Sequence, residues 1–342
     1  MTTNFSFTDK NLLLTNGATA LLQLAQRRGG QLHKLLNGTS IFEQDLMAPH
    51  SRCHHRDWLK LLSHCQQLQS PELPFLLADS LLNQRNIALC QSLIAAEDLA
   101  QSLKQLLYFR HQLLPALYPK LQYIDNKLML IVKPAIALGN QQHFISIFAI
   151  SFIVKLIRQQ LADSSQLHVA LQQAAPANTQ LFHAHWQCQV SFNQQFDAIL
   201  IPLAWWHQPF AERNPSQFAQ FRRACYQLNQ RLPAQRGLLE CLQRHIDRTL
   251  PKQLGIEEAA SHLGLSCSSL KRVLQQHNTH FAAITDEVRR DKAYLLLLQG
   301  NVSNRQLAEQ LGYSDEHNFR RAFKRWTGML PSSAKALTQT SF

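Results

Sequence analysis

Along the first two-thirds of the chain the spacing of apolar residues changes twice. Leu12-Leu13-Leu14 opens a segment with helical spacing, and Trp58, Leu61, Leu62 and Leu68 continue it. Pro71 and Pro74 interrupt that rhythm, and Leu76 through Leu107 reads as two further helices. From Tyr118-Pro119 onward, Leu121–Ile124 and Leu128–Val132 flank the polar Asp125-Asn126-Lys127, which predicts a hairpin with a three-residue turn. A helix follows over 144–161, then a strand at Leu167–Leu171 and one or two more in 190–203, where Phe192, Phe196, Ile199 and Ile201 favour extended backbone. Beyond residue 237 no strand pattern appears. Leu239, Leu242, Ile246 and Leu250 recur at steps of three, four and four, one stripe of a helix that Pro251 ends. The polar stretch 229–236, which contains Pro233, has little to bury and is the expected linker. The fold predicted is a mixed α+β domain at 1–228 followed by an all-α domain at 237–342.

Within the helical end the chain nearly repeats itself. Ala260-x-x-Leu263-Gly264-x-Ser266 recurs as Ala308-x-x-Leu311-Gly312-x-Ser314, 48 residues later. Each copy has the logic of a helix-turn-helix: a short helix ends at leucine, glycine takes the left-handed turn, and serine caps the next helix. Leu270 and Leu274 would face inward in one copy, and Phe319 and Phe323 in the other. Outward lie Ser268, Ser269, Lys271, Arg272 and Gln275, and then Glu316, His317, Arg320, Arg321, Lys324 and Arg325. Between the copies, Thr279 would cap a long helix whose Phe281, Ile284, Val288, Leu295 and Leu298 share a face and which Gly300 ends. About 20 helical residues span roughly 30 Å, close to the ~34 Å separating equivalent major-groove faces of a duplex. Ser303 with Gln306 makes a capping box for the helix that follows.

Charge adds less than its size suggests. A formal net charge of +12 calls for a polyanionic partner, nucleic acid or an anionic membrane surface. Yet residues 237–342 hold 14 lysines and arginines against 10 acidic residues, so only +4 of the total lies in the helical repeat. Arg289, Arg290 and Arg325 read as solvated or phosphate-facing cations, while Glu316 suits either the helix dipole or a cytosine amino group. Seven scattered cysteines without a C-x-x-C pair read as reduced thiols of a cytoplasmic protein. The most apolar run, Phe144 to Ile157, is interrupted by Ser146, Ser151 and Lys155 and is shorter than the ~18 residues a membrane span needs.

Leu311-Gly312-Tyr313-Ser314, the run Asn318-Phe319-Arg320-Arg321-Ala322-Phe323-Lys324-Arg325-Trp326-Thr327-Gly328, and Pro331 together resemble the DNA-binding domain of AraC-type transcription regulators; the likeness spans 256–337. It implies two reader helices on double-stranded promoter DNA. Base contacts then fall to Ser268, Lys271, Arg272, His317, Arg320 and Arg321, and phosphate contacts to Ser266, Ser269, Gln275, Ser314, Asn318 and Lys324. The family often has arginine where this chain has Ser268, which makes the first reader the less familiar of the two. More weakly, Leu76-Leu77-Ala78-Asp79-Ser80-Leu81, Ala88-Leu89-Cys90 and the run from Val190 to Ile199 resemble the arabinose-binding-type amino-terminal domain of one branch of these regulators. That implies a domain sensing an unidentified small-molecule effector, sugar or not. It also implies RNA polymerase as a partner, activation ahead of repression, and room for a homodimer.

Other chemistry in the amino-terminal part is less specific. His50, Cys53, His54 and His55 lie close together, and His50 with His54 has the helical spacing of a metal pair, but Pro49 and the lack of an acidic neighbour weaken it. His183 and His185 with Cys188 are similarly short of a site. Trp186, Trp205, Trp206 and Phe210 suit a core better than a pocket. No cofactor or metal is expected. A non-enzymatic reading is favoured over a DNA-repair alkyltransferase fused to an AraC-like domain, for which Cys53-His54-His55-Arg56 is a faint match without the expected proline. A purely protein-binding amino-terminal domain is the remaining alternative.

Overall fold

An interior strand of the amino-terminal unit, Lys127–Pro134, is buried from Leu128 through Val132 because it lies between two neighbours in a five-stranded sheet and beneath a helix. The computed structural model describes residues 4–6, 9–48, 51–161, 165–232, 236–300 and 302–341, and the chain divides into two units, Phe5–Gly237 and one built on Leu238–Phe342. The sheet order is 117–124, 127–134, 198–202, 168–170 and 189–191. All neighbours are antiparallel except the last pair, 168–170 with 189–191. The covering helix, Gln142–Gln160, is buried around most of its circumference, Ser146 and Ser151 included, which explains why apolar residues occupy nearly every face of it. No helix among the described residues is long and apolar enough to cross a membrane.

Several expectations change in this unit, each for a local reason. The hairpin forms, but Ile124 pairs with Lys127, so the turn is Asp125-Asn126 alone. Asp125 takes the left-handed conformation at φ 48° that a tight hairpin turn demands and Asp tolerates. Of Leu12-Leu13-Leu14 only Leu14 starts the expected helical segment, a π-turn at Leu14–Ala18 that runs into Thr19–Gln26. Lys10–Leu13 is a strand paired with Arg52–His54, and all three leucines are buried; a continuous apolar run has no period to tell strand from helix. Pro74 does not break a helix but sits in the first turn of one, Leu73–Leu82, where its missing N–H costs no bond. Three helices rather than two occupy the stretch to residue 109, the others being Ala88–Ile94 and Leu99–Phe109, the last capped by Asp98 accepting from the Gln101 N–H at 2.7 Å.

The expected linker is the clearest correction. Asn229, Gln230 and Arg231 form the last turn of the helix Pro215–Arg231, while 233–235 lie outside the described residues. Asn229 is polar because it is a buried acceptor. Its Oδ1 meets Nε2 of His111 and accepts from the Gln112 amide, which also donates to the Cys225 carbonyl at 2.8 Å.

The carboxy-terminal unit is helical throughout: Leu238–Thr249, Ile256–His262, Cys267–Gln276, Phe281–Leu298, Asn304–Leu311, Glu316–Thr327 and Pro331–Ser341. The long linker helix Phe281–Leu298 has 18 residues, hence a length of about 27 Å. Its N-cap position is His280. Thr279 instead closes the preceding helix, donating its N–H to the Leu274 carbonyl at 3.0 Å. Ile284, Val288, Tyr294 and Leu295 are buried, and polar ties from Gln243 to Glu287 (3.2 Å) and Lys292 to Asp247 (3.7 Å) hold this helix to the first one of the unit.

The Asn229 contact predicts two measurements. Asn229→Leu leaves His111 and Gln112 short of a buried acceptor and should cost about 1–3 kcal/mol in urea unfolding. Burial also pulls the His111 imidazole down to about 4, so the unfolded chain takes up its proton first as the pH falls. Its contribution is intact above ~6.5 and is lost as the pH drops through 4, by roughly 2 kcal/mol at pH 5. His111→Gln should flatten that part of the stability profile; an unchanged profile would assign the acid sensitivity elsewhere.

Candidate nucleic-acid interface

The first reader helix, Cys267–Gln276, starts where the sequence indicates. Ser266 is its N-cap, its Oγ accepting from the Ser269 N–H at 3.2 Å, and Gly264 before it turns at φ 70°. Leu270 and Leu274 are fully buried, which drives Ser268, Lys271, Arg272 and Gln275 outward, all of them exposed. Part of the capacity of Ser266 and Ser269 is spent locally, because the Ser266 hydroxyl donates to that of Ser269 at 2.9 Å.

The second reader, Glu316–Thr327, differs at its start. Gly312 makes the left-handed turn at φ 77°, but the cap is Asp315 rather than Ser314. A carboxylate is the stronger acceptor at a helix N-terminus, and that of Asp315 takes the Asn318 N–H at 2.7 Å, which holds its pKa below the ordinary range. The Asn318 amide donates to Asp315 and to the Ser314 hydroxyl, while its oxygen accepts from the Arg321 guanidinium at 2.6 Å. Arg321 is therefore oriented by a chain running from the cap through Asn318. His317, Arg321 and Lys324 are exposed and Arg320 is half-buried, whereas Phe319 and Phe323 are completely buried. Glu316 accepts from the Asn304 amide at 3.3 Å, tying the two helices of this motif together.

The cations of this unit sort by partner. Arg290 pairs with Asp291, Lys292 with Asp247, Arg305 with Glu309 and Arg325 with Asp286. Arg289 lies over the Tyr313 ring, 5.1 Å from its centroid. Arg289, Arg290 and Arg325 thus each make a contact within the unit, while Arg325 remains largely exposed to solvent. Among the described residues Lys271, Arg272, Arg320, Arg321 and Lys324 have no carboxylate partner. Those five cations sit on the two reader helices; of the others, the exposed Arg248 on Leu238–Thr249 and the ring-stacked Arg289 also lack a carboxylate partner among the described residues.

The amino-terminal candidates mostly dissolve into core. His54 ends a strand and His55 begins a helix, so the stretch cannot present a helical His pair, and His50 lies outside the described residues. Cys53 is buried, which pushes its thiol up to about 12 and removes the thiolate that alkyl transfer requires. His185 stacks on Phe75, and Trp186 packs against Phe75 and Phe182 while donating to Ser151 at 2.9 Å. No cluster of three metal-ligating side chains exists among the described residues. The structure adds a feature that sequence patterns do not mark, a small apolar cleft beside Trp58, lined also by Leu12, Leu114, Phe144 and Phe148. A second small cleft shares Leu114 and Leu117 with it. Their residues come from eight separate elements, so no local motif marks them.

Comparison with known proteins agrees with this division. Residues 259–336 match a helix-turn-helix domain, and 29–210 match the arabinose-binding amino-terminal domain of AraC transcription regulators. The ornithine utilization regulator of Pseudomonas aeruginosa is 26% identical over 320 residues, 92% of this chain and 94% of its own length. The transcriptional regulator VqsM of the same organism is 28% identical over 92 residues, 27% of this chain and 28% of its own. Among solved structures, the transcriptional regulator CdpR from Pseudomonas aeruginosa aligns with 78% of this chain and 87% of its own at 17% identity, with a TM-score of 0.35. The chain belongs to the AraC family of transcription regulators, with an arabinose-binding-type amino-terminal domain and a DNA-binding helix-turn-helix unit.

Proposed function

We propose that this regulator reads promoter DNA with two unequal helices and that a small molecule bound to its amino-terminal domain controls the reading. The observation carrying the first part is the set of five cations without carboxylate partners on the reader helices, beside neighbours that are internally paired. Arg321, held by Asn318, is suited to chelate guanine in the major groove, with Arg320 and His317 beside it; Lys271, Arg272 and Ser268 form the corresponding set of the first reader. Ser266, Ser269, Gln275, Ser314, Asn318 and Lys324 serve the phosphates. A cytoplasmic setting, homodimerisation and activation through RNA polymerase complete the reading that the family supports.

The effector part is supported by the clefts. Ornithine figures in the name of one relative, but among the residues lining either cleft there is no carboxylate to neutralise an ammonium group. The lining favours an effector that is mainly apolar. Its control follows if it binds the DNA-competent arrangement more tightly than the alternative.

Two tests follow. In gel-shift titrations against a set of related sites, Arg321→Ala should cost about 1–3 kcal/mol on the preferred site and flatten discrimination at one base pair, whereas Lys324→Ala should weaken all sites alike and reduce the salt slope by about 1. Equal weakening of every site by Arg321→Ala would remove its base-reading role. For the effector, tryptophan fluorescence should saturate with an uncharged probe such as a decanoate ester and stay flat with ornithine. Leu114→Trp, which fills the space shared by both clefts, should abolish the response while leaving DNA affinity unchanged; a saturating response to ornithine alone would overturn the apolar assignment.

A further inference from the structure

The two turn glycines of the 48-residue repeat are not equivalent. Both take the left-handed conformation, Gly264 at φ 70° and Gly312 at φ 77°. Around Gly264 a Cβ would meet nothing within 4 Å. At Gly312 a Cβ would lie 2.2 Å from the carbonyl oxygen of Pro251 and 3.2 Å from its carbonyl carbon, a backbone approach that only glycine permits. Pro251 belongs to the segment leading into the first helix-turn-helix, and Gly312 is the turn of the second. A hydrogen bond spans the same junction, from the exposed Gln253 amide to the Gly312 carbonyl at 3.0 Å.

We infer that this junction is a second brace between the two DNA-reading motifs and, with the linker helix, sets the base-pair spacing at which both readers can engage. A single helical rod fixes the distance between two attached modules but resists rotation about its own axis poorly. The second motif is already fastened to the rod by Arg325–Asp286 at 3.0 Å, by Arg289 over Tyr313, and by the Tyr294 and Phe323 rings at 5.4 Å. Contact at Gly312 adds a point off that axis, anchored to the chain entering the first motif. Rotation of the second reader about the linker helix then requires breaking it. The consequence is a preference in spacing, since one inserted base pair moves a site by about 3.4 Å and turns it by roughly a tenth of a helical repeat. Gly312 and Gln253 are positioning residues in this scheme and touch no base.

The test uses the full chain and the duplex it selects from a random-sequence pool, remade with one base pair added or removed between its two boxes. Wild type should lose tenfold or more in affinity on either change. Gly312→Ala should alter that ratio by at least threefold or move the preferred spacing, with the base preferences inside each box retained. Gly264→Ala carries the same backbone strain without the close approach and should leave the ratio at the wild-type value. Gln253→Leu removes the hydrogen bond from an exposed position, keeps the fold if Gly312→Ala does not, and should shift the ratio in the same direction by a smaller factor. Equal ratios for wild type, Gly312→Ala and Gln253→Leu would overturn the brace, as would a Gly264→Ala effect matching that of Gly312→Ala.

Discussion

The burial of Phe319 and Phe323, one helical turn apart and both fully enclosed, is the constraint on which the reading surface depends. Each such side chain removed from water contributes roughly 1.5–3 kcal/mol, so the second reader has one stable rotation about its own axis. With that rotation set, the 3.6-residue period places His317, Arg321 and Lys324 on the far side, while Arg325 reaches back to Asp286 on the linker helix. The neighbours Lys324 and Arg325 thereby acquire different roles from apolar packing alone. Leu270 and Leu274 do the same for the first reader with less bulk, and no carboxylate-capped chain comparable to Asp315–Asn318–Arg321 orients its Lys271 and Arg272.

What the sequence made legible in this unit is what local spacing determines. The left-handed glycines, the Ser266 cap and the Ser303–Gln306 capping box all depend on residues within four positions of each other, and each forms as expected. Where two local candidates compete, spacing alone does not decide. Ser314 and Asp315 are adjacent, and the charged acceptor takes the cap. Thr279 and His280 are adjacent too, and the tight closure onto Leu274 leaves the cap position to the residue after it. The Gly312–Pro251 approach lay beyond reach altogether, since it joins residues 61 apart that carry no mutual signature.

The amino-terminal unit shows the same boundary from the other side. Its hairpin, its long buried helix and its later strands announced themselves through length and β-branched or aromatic content. The strand at Lys10–Leu13 did not, because its partner Arg52–His54 lies 40 residues away and the leucine run has no alternation. Polarity misled at Asn229 for a related reason. A polar residue in sequence signals solvent on average, yet here it supplies the acceptor that His111 and Gln112 need more than a hundred positions upstream. The cleft beside Trp58 is the extreme case, assembled from elements spread over 12–148 and defined by what fails to fill the space.

Electrostatics follows the same logic of pairing over totals. A net +4 on the carboxy-terminal unit would barely distinguish it from an ordinary domain, and the remaining +8 lies upstream of the readers. Charge available to a phosphate backbone is charge not already neutralised, and the internal ion pairs remove Arg290, Lys292, Arg305 and Arg325 from that account. Of the cations they leave, Lys271, Arg272, Arg320, Arg321 and Lys324 lie on two helices whose rotation is set by buried leucine and phenylalanine. Specific reading then demands that those helices also keep a constant relation to each other, since two well-made readers on a loose frame would bind many spacings weakly. The cost of that relation is borne at Gly312, where the second turn accepts a backbone contact that the first turn, otherwise its copy, does not make.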